Sequence, residues 1–208
     1  MTAARTAPPI PGVLLVVGGQ CRKVGKSALV VDIIKAFPNR NWIAAKITPY
    51  VEAGCPINGD ACRCAAHEHT FTILDESDSS GKSDTSRFLA AGAERALWVQ
   101  TKDQRLEDAL PSLATELANA AYAIVESDSL VKFWKPSQYV MVLDPANPDF
   151  KISARESLPL ADAFVFRSPF APSDPSPAAI VSAQKPRFLQ PLGSPLNQEL
   201  QHFLSGSI

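Results

Sequence analysis

The first long apolar run, Val13-Leu-Leu-Val-Val17, is unbroken and stopped by Gly18-Gly19. That is the pattern of a strand buried on both faces, and so of a parallel sheet. From Ser27 the period changes: Leu29, Val30, Ile33, Ile34 and Phe37 recur at helical spacing until Pro38-Asn39 ends the run. Further apolar runs predict strands at 42–47, 70–74, 95–100, 122–125 and 139–143, with a last one at 163–166. Between them, helical patterns fall at about 85–91, which Ser83 or Asp84 can cap and Gly92 ends, and at 106–120, which Pro111 kinks or delays. Strands alternating with helices at this spacing predict a three-layer α/β fold with a mostly parallel sheet.

Two stretches break the pattern. Residues 49–69 show no period and hold Gly54, Pro56, Gly59, three cysteines and two histidines, so they read as an insert in a domain spanning 13–168. Past Leu158, eight of the chain's 18 prolines fall within 50 residues, which makes 169–208 a proline-rich extension with one helix candidate at 196–204. Residues 1–12, broken by Pro8, Pro9 and Pro11, read as a flexible arm.

The 208 residues amount to one domain with an insert or tail at roughly 150 residues per domain. With 46% apolar residues, the chain can build one large core. Twenty Lys and Arg against 21 Asp and Glu leave a net charge of −1, which argues against duplex DNA or an anionic membrane held by bulk electrostatics. An anion must therefore be held locally. No apolar run approaches the roughly 20 residues of a membrane helix, and the first is too short for a signal core, so a cytoplasmic protein is expected.

The local anion site is legible in Gly19-Gln-Cys-Arg-Lys-Val-Gly25-Lys26-Ser27, set between the first buried strand and its helix, as a phosphate-binding P-loop requires. Backbone N–H groups at a helix N-terminus face an oxyanion, and glycine permits close approach. Lys26 can pair with the outer phosphates, and the Ser27 hydroxyl suits Mg²⁺. Arg22 and Lys23 add charge beside them. A glycine turn with a chance Lys-Ser would have to explain both flanking elements as well. Gly19 and Gly25 enclose five residues where the common loop has four, and Gln20 stands where its first glycine falls. At the end of the run 122–125, Glu126 occupies the place from which an acid reaches Mg²⁺ or its water shell; Asp128 or Asp144 could serve instead.

The five-residue spacing resembles the loop of dethiobiotin synthetases and cobyrinic acid amide synthases. Asp84-Thr-Ser-Arg87, followed by Ala91-Gly-Ala93, resembles a segment of the molybdopterin-guanine dinucleotide biosynthesis protein B family, with one extra residue between Gly81-Lys82 and Asp84. The resemblance spans roughly residues 13 to 145. It implies a P-loop NTPase fold, favours Glu126 as the acid, and adds Asp84 and Arg87 to the nucleotide site. Where that family carries Glu-Gly and an aromatic residue, this chain has Glu126-Ser-Asp128-Ser. No guanine-reading Asn-Lys-x-Asp is present, and Phe164-Val-Phe-Arg167-Ser168 stands where such a motif would fall, so ATP and GTP both remain open.

Cys55, Cys62, Cys64, His67 and His69 place five soft or borderline ligands within 15 residues. Three thiolates and an imidazole suit tetrahedral Zn²⁺, and three thiolates with an exchangeable position suit an iron-sulfur cluster, although the spacing matches no standard finger. Taken together, the reading is a nucleoside-triphosphate-binding protein with slow Mg²⁺-dependent ATP or GTP hydrolysis, placed by resemblance in molybdenum-cofactor or metal-centre assembly. Lys26 and Glu126 would be its catalytic residues, and Ser27 and Glu126 its Mg²⁺ ligands. A homodimer or a cofactor-assembly protein is the expected partner. The alternatives are an ATP-dependent small-molecule ligase or kinase like dethiobiotin synthetase, and a non-catalytic switch worked by nucleotide or metal.

Overall fold

The computed structural model describes residues 12–50, 70–102, 104–169 and 185–208. Among these residues eight strands form one sheet: β1 (Val13–Gly19), β2 (Ile43–Tyr50), β3 (Phe71–Asp75), β4 (Arg95–Lys102), β5 (Tyr122–Glu126), β6 (Gln138–Leu143), β7 (Ala163–Phe166) and β8 (Arg187–Leu189). Their spatial order is β3-β4-β2-β5-β1-β6-β7-β8. Among the described residues every pairing is parallel except β3 against β4, so the sheet is mostly parallel, as predicted. Among the described residues five α-helices accompany the sheet: α1 (Lys26–Ala36), α2 (Asp84–Ala90), α3 (Leu106–Leu117), α4 (Ile152–Ser157) and α5 (Gln198–Ser205).

Alternation along β1 divides the core into two layers. Leu14 and Val16 join Ala109, Leu113 and Leu117 of α3 on one face. Leu15 and Val17 join Leu29, Val30, Ile33 and Ile34 of α1, Phe88 of α2, and Leu200 and Leu204 of α5 on the other. Burial on both faces explains why the strand reads as a continuous apolar run. Trp134, next to a short turn of 3-10 helix, is 3% exposed and belongs to the α3 layer.

Several boundaries differ from the sequence reading for local reasons. Strand β7 is not the last: β8 pairs with it from Phe164↔Arg187 to Phe166↔Leu189. With three residues, of which Phe188 alone is buried, β8 is too short to show a period. Helix α4 was not foreseen, being six residues long and buried only at Ala154 and Ser157. Pro111 lies inside α3, which already begins at Leu106, so the proline does not delay it. The cap of α2 is Ser83, not Asp84: its Oγ accepts from Ser86 N at 3.0 Å while Ser86 Oγ accepts from Ser83 N at 3.1 Å. That reciprocal pairing satisfies two groups at the helix start and leaves the Asp84 carboxylate available elsewhere. Strand β2 runs through Tyr50, into the range expected as an insert. The remainder of that range, with Cys55, Cys62, Cys64, His67 and His69, lies outside the described residues. Among the described residues no helix is long and apolar enough to cross a membrane.

Candidate phosphate and metal site

The sheet order sets the site. Strand β1 lies between β5 and β6, and the chain leaves its carboxyl end through residues 20–25 into α1. In open parallel sheets, ligands bind outside the carboxyl ends of strands where neighbouring connections part, and this is such a point. The register Val17↔Glu126 brings the last residue of β5 beside the loop, and Lys46↔Glu126 brings β2 alongside it.

The loop holds its shape by close approaches. Gly25 has φ +98°, and a Cβ there would fall 2.7 Å from Arg167 Nε. Only glycine fits both the turn and the space. The buried Arg167 donates through Nη2 to the Gly25 carbonyl at 2.5 Å and through Nη1 to the Gln190 carbonyl at 2.9 Å. The loop is thereby tied to the segment after β8. At the other end, a Cβ on Gly19 would fall 2.7 Å from Val24 Cγ1.

Gln20, the departure from the usual glycine, acts as a bolt. Its Nε2 donates to the carbonyls of Asn147 (2.6 Å) and Asp149 (2.9 Å), and its Oε1 accepts from Asp144 N at 3.0 Å. The side chain is buried, with all of these bonds directed to the β6–α4 connection. Cys21 is also buried. Desolvation pushes its thiol pKa up against the opposing charge of Lys26, which keeps the thiol protonated.

Lys26 donates to the Cys21 carbonyl at 3.0 Å and lies 3.7 Å from Asp128 Oδ2. Asp128 also accepts from Gly19 N at 2.9 Å and from Lys151 Nζ at 3.2 Å. The Glu126-Ser-Asp128 departure therefore has a structural purpose: Asp128 fixes the loop's first amide and its lysine, and Ser127 Oγ accepts from Ser129 N and Leu130 N. Arg22 and Lys23 are exposed on the loop.

On the opposite side of the Lys26–Ser27 turn, four side chains converge. Ser27 Oγ donates to Glu126 Oε2 at 2.6 Å. Lys46 Nζ donates to Ser27 Oγ at 3.2 Å, to Glu126 Oε1 and Oε2 at 3.2 and 3.4 Å, and to Asp84 Oδ2. Arg87 Nη1 in turn donates to Asp84 Oδ1 at 3.3 Å. Ser27, Glu126, Asp84 and Arg87, separate in sequence, thus meet in one network. Burial works against the Lys46 ammonium, but the Glu126 and Asp84 carboxylates outweigh it and raise its pKa. For Asp84, burial pushes up, and the hydrogen bond and charge of Lys46 pull the carboxyl pKa below its ordinary value. The contribution of Asp84 to stability is therefore present above the ordinary carboxylate value of 3.8 and is lost as pH falls through its lowered pKa. That of Lys46 is present below 10.5 and is lost as pH rises through its raised one.

Sequence reading missed Lys46 as a site residue. The available signal was a lysine inside Ile43-Ala-Ala-Lys-Ile47, an otherwise apolar run that follows the glycine loop and its helix. Among the described residues no three His, Cys, Asp or Glu side chains group to hold a metal. The oxygen set at Lys46 has two carboxylates, Glu126 and Asp84, completed by the Ser27 hydroxyl. Carboxylate, hydroxyl and phosphate oxygens are the donors Mg²⁺ prefers, and the Lys46 ammonium already stands among them as a cation. The residues present therefore fit Mg²⁺.

No protein-family model matches the chain, and no curated protein matches it in sequence. Among solved structures, HypB from Helicobacter pylori in complex with nickel is similar at a TM-score of 0.54 and 15% identity, covering 94% of this chain and 86% of that one. LpxK from Aquifex aeolicus in complex with ATP aligns at a TM-score of 0.47 and 16% identity, over 87% of this chain and 54% of that one. The likeness to HypB shows the fold, an α/β fold with a mostly parallel sheet.

The network makes a stability prediction. Glu126 has a side chain only 6% exposed, and removing its cationic partner leaves a buried charge. Lys46→Met should cost about 2 kcal/mol in urea unfolding, discounted for the partly exposed lysine. Adding Glu126→Gln to that variant should cost less than Glu126→Gln costs alone. Strict additivity of the two changes would show that they do not interact.

Proposed function

We propose that the chain binds a nucleoside triphosphate with Mg²⁺ on the loop 19–27 and hydrolyses it slowly, in the assembly of the molybdenum cofactor or another metal centre. The observation that carries the reading is the meeting of Ser27 and Glu126 at the start of α1, beside Lys26 and the loop amides. Loop N–H groups and the N-terminal end of the eleven-residue α1 would receive the phosphates. Lys26, held at the Cys21 carbonyl and Asp128, would turn to the outer phosphate and hold the charge that develops there. Arg22 and Lys23 would add charge at the loop's outer side.

Ser27, Glu126 and Asp84 would hold Mg²⁺, which would supply charge neutralisation for phosphoryl transfer to water. Glu126 would orient through its hydrogen bond with Ser27, and Arg87 would steady Asp84. Lys26 and Glu126 are thus the proposed catalytic pair.

The assignment to metal-centre assembly rests on the resemblance of 84–93 to the molybdopterin-guanine dinucleotide accessory family and on Cys55, Cys62, Cys64, His67 and His69 as Zn²⁺ or iron-sulfur ligands. The nickel in the HypB structure supports it. A second reading, an ATP-dependent ligase or kinase like dethiobiotin synthetase, is favoured by the five-residue spacing between Gly19 and Gly25. A dependence of phosphate release on a small-molecule acceptor would select it.

Two measurements test the proposal. Lys26→Ala should weaken triphosphate binding at least about 100-fold, the loss of roughly 2.7 kcal/mol, in a calorimetric titration. Retained affinity would remove the loop from the account. Protein purified without oxygen should carry stoichiometric zinc, or iron with a visible absorption band, and lose it when Cys55, Cys62 and Cys64 are changed to Ser. Absence of metal from the unaltered protein would end the metal-centre assignment.

A further inference from the structure

The three side chains whose oxygens surround Lys46 Nζ are the same ones that would hold the divalent cation. Its ammonium lies 3.2 Å from Ser27 Oγ, 3.2 and 3.4 Å from the two Glu126 oxygens, and in hydrogen-bond contact with Asp84 Oδ2. A magnesium ion bound to these oxygens would sit at about 2.1 Å from each ligand. Its position would overlap that of the ammonium, and a divalent charge would repel the lysine strongly at so short a distance in a partly buried site. The two cations cannot share the place.

We propose that Lys46 is an exchangeable placeholder for the divalent cation: it neutralises Glu126 and Asp84 in the geometry seen here, and a metal entering the site must displace it. The inference deepens the Mg²⁺-nucleotide reading of the same site and rests on it. Two features make the exchange feasible. Lys46 reaches the site from β2 on a flexible four-carbon stem, and its side chain is 21% exposed, so it has a route out. Its partners keep their other anchors, since Ser27 stays bonded to Glu126 and Arg87 stays bonded to Asp84. Displacement of Lys46 therefore leaves the oxygen set in place. Lys46 is in this sense a positioning residue: it sets how tightly the site takes a cation and keeps two carboxylates together until one arrives.

The test uses Mn²⁺ alone as the probe, on the full chain freed of nucleotide by dialysis, with free Mn²⁺ read from its electron paramagnetic resonance signal. Lys46→Gln, which keeps a polar side chain and removes the charge, should bind one Mn²⁺ per chain at least about tenfold more tightly than the unaltered protein. The double variant Lys46→Gln with Glu126→Gln should lose that gain. Equal Mn²⁺ affinity with and without Lys46 would overturn the proposal.

A second measurement needs no variant, in case Lys46→Gln does not fold. Acylation of Lys46 in the unaltered protein, followed by mass spectrometry, should accelerate severalfold when Mn²⁺ saturates the site. An unchanged rate at one bound Mn²⁺ per chain would also overturn the proposal. Triphosphate binding measured in parallel separates the two claims. Binding with no effect of Lys46 on Mn²⁺ refutes only the placeholder, and a Lys46-dependent Mn²⁺ site without triphosphate binding refutes only the nucleotide reading.

Discussion

Glu126 is a carboxylate at the buried end of a central strand, and such a group must be paired or neutralised. The rest of the site can be read as the means of pairing it. The β1–β5 register delivers the Ser27 hydroxyl through the loop and the start of α1, and the β2–β5 register delivers Lys46. The cap on α2 is made by Ser83, which frees Asp84, the first residue of the helix, to complete the charge balance at Lys46. One buried acid thus ties together three parallel strands, two helix starts and the loop between β1 and α1.

Lys26 has a separate set of partners on the other side of the turn. Asp128 fixes both the Gly19 amide and the lysine, while Gln20 bolts the loop to the connection after β6. Arg167 joins the Gly25 carbonyl to Gln190, so the segment beyond β8 also contributes to the shape of the loop. The loop is therefore held by hydrogen bonds from three directions, which limits the reorganisation needed when charge arrives.

Much of this was legible in the sequence because it depends on local pattern. The apolar run 13–17 and the helical spacing from Leu29 to Phe37 marked the first strand and helix to within about two residues, and β7 was placed at 163–166, its observed span. The place of the glycine-bounded loop between β1 and α1 was legible for the same reason. What escaped depends on register or on short elements. Lys46 meets Glu126 only because β2 lies beside β5, a neighbour 80 residues away in sequence. The purpose of Gln20 is visible only once the β6–α4 connection is in place, and β8 and α4 are too short to carry a period. The antiparallel setting of β3 follows from its pairing with β4, which its own five residues do not encode.

The central claim is that the Lys26 loop and the Ser27–Glu126 pair form one Mg²⁺-dependent triphosphate site. It is tested most directly by titrating the unaltered protein with a non-hydrolysable triphosphate in a calorimeter, once with Mg²⁺ and once with a chelator. The account predicts one triphosphate per chain, bound at least about tenfold more tightly with Mg²⁺ present. No heat of binding up to millimolar ligand, or an affinity indifferent to Mg²⁺, would contradict it.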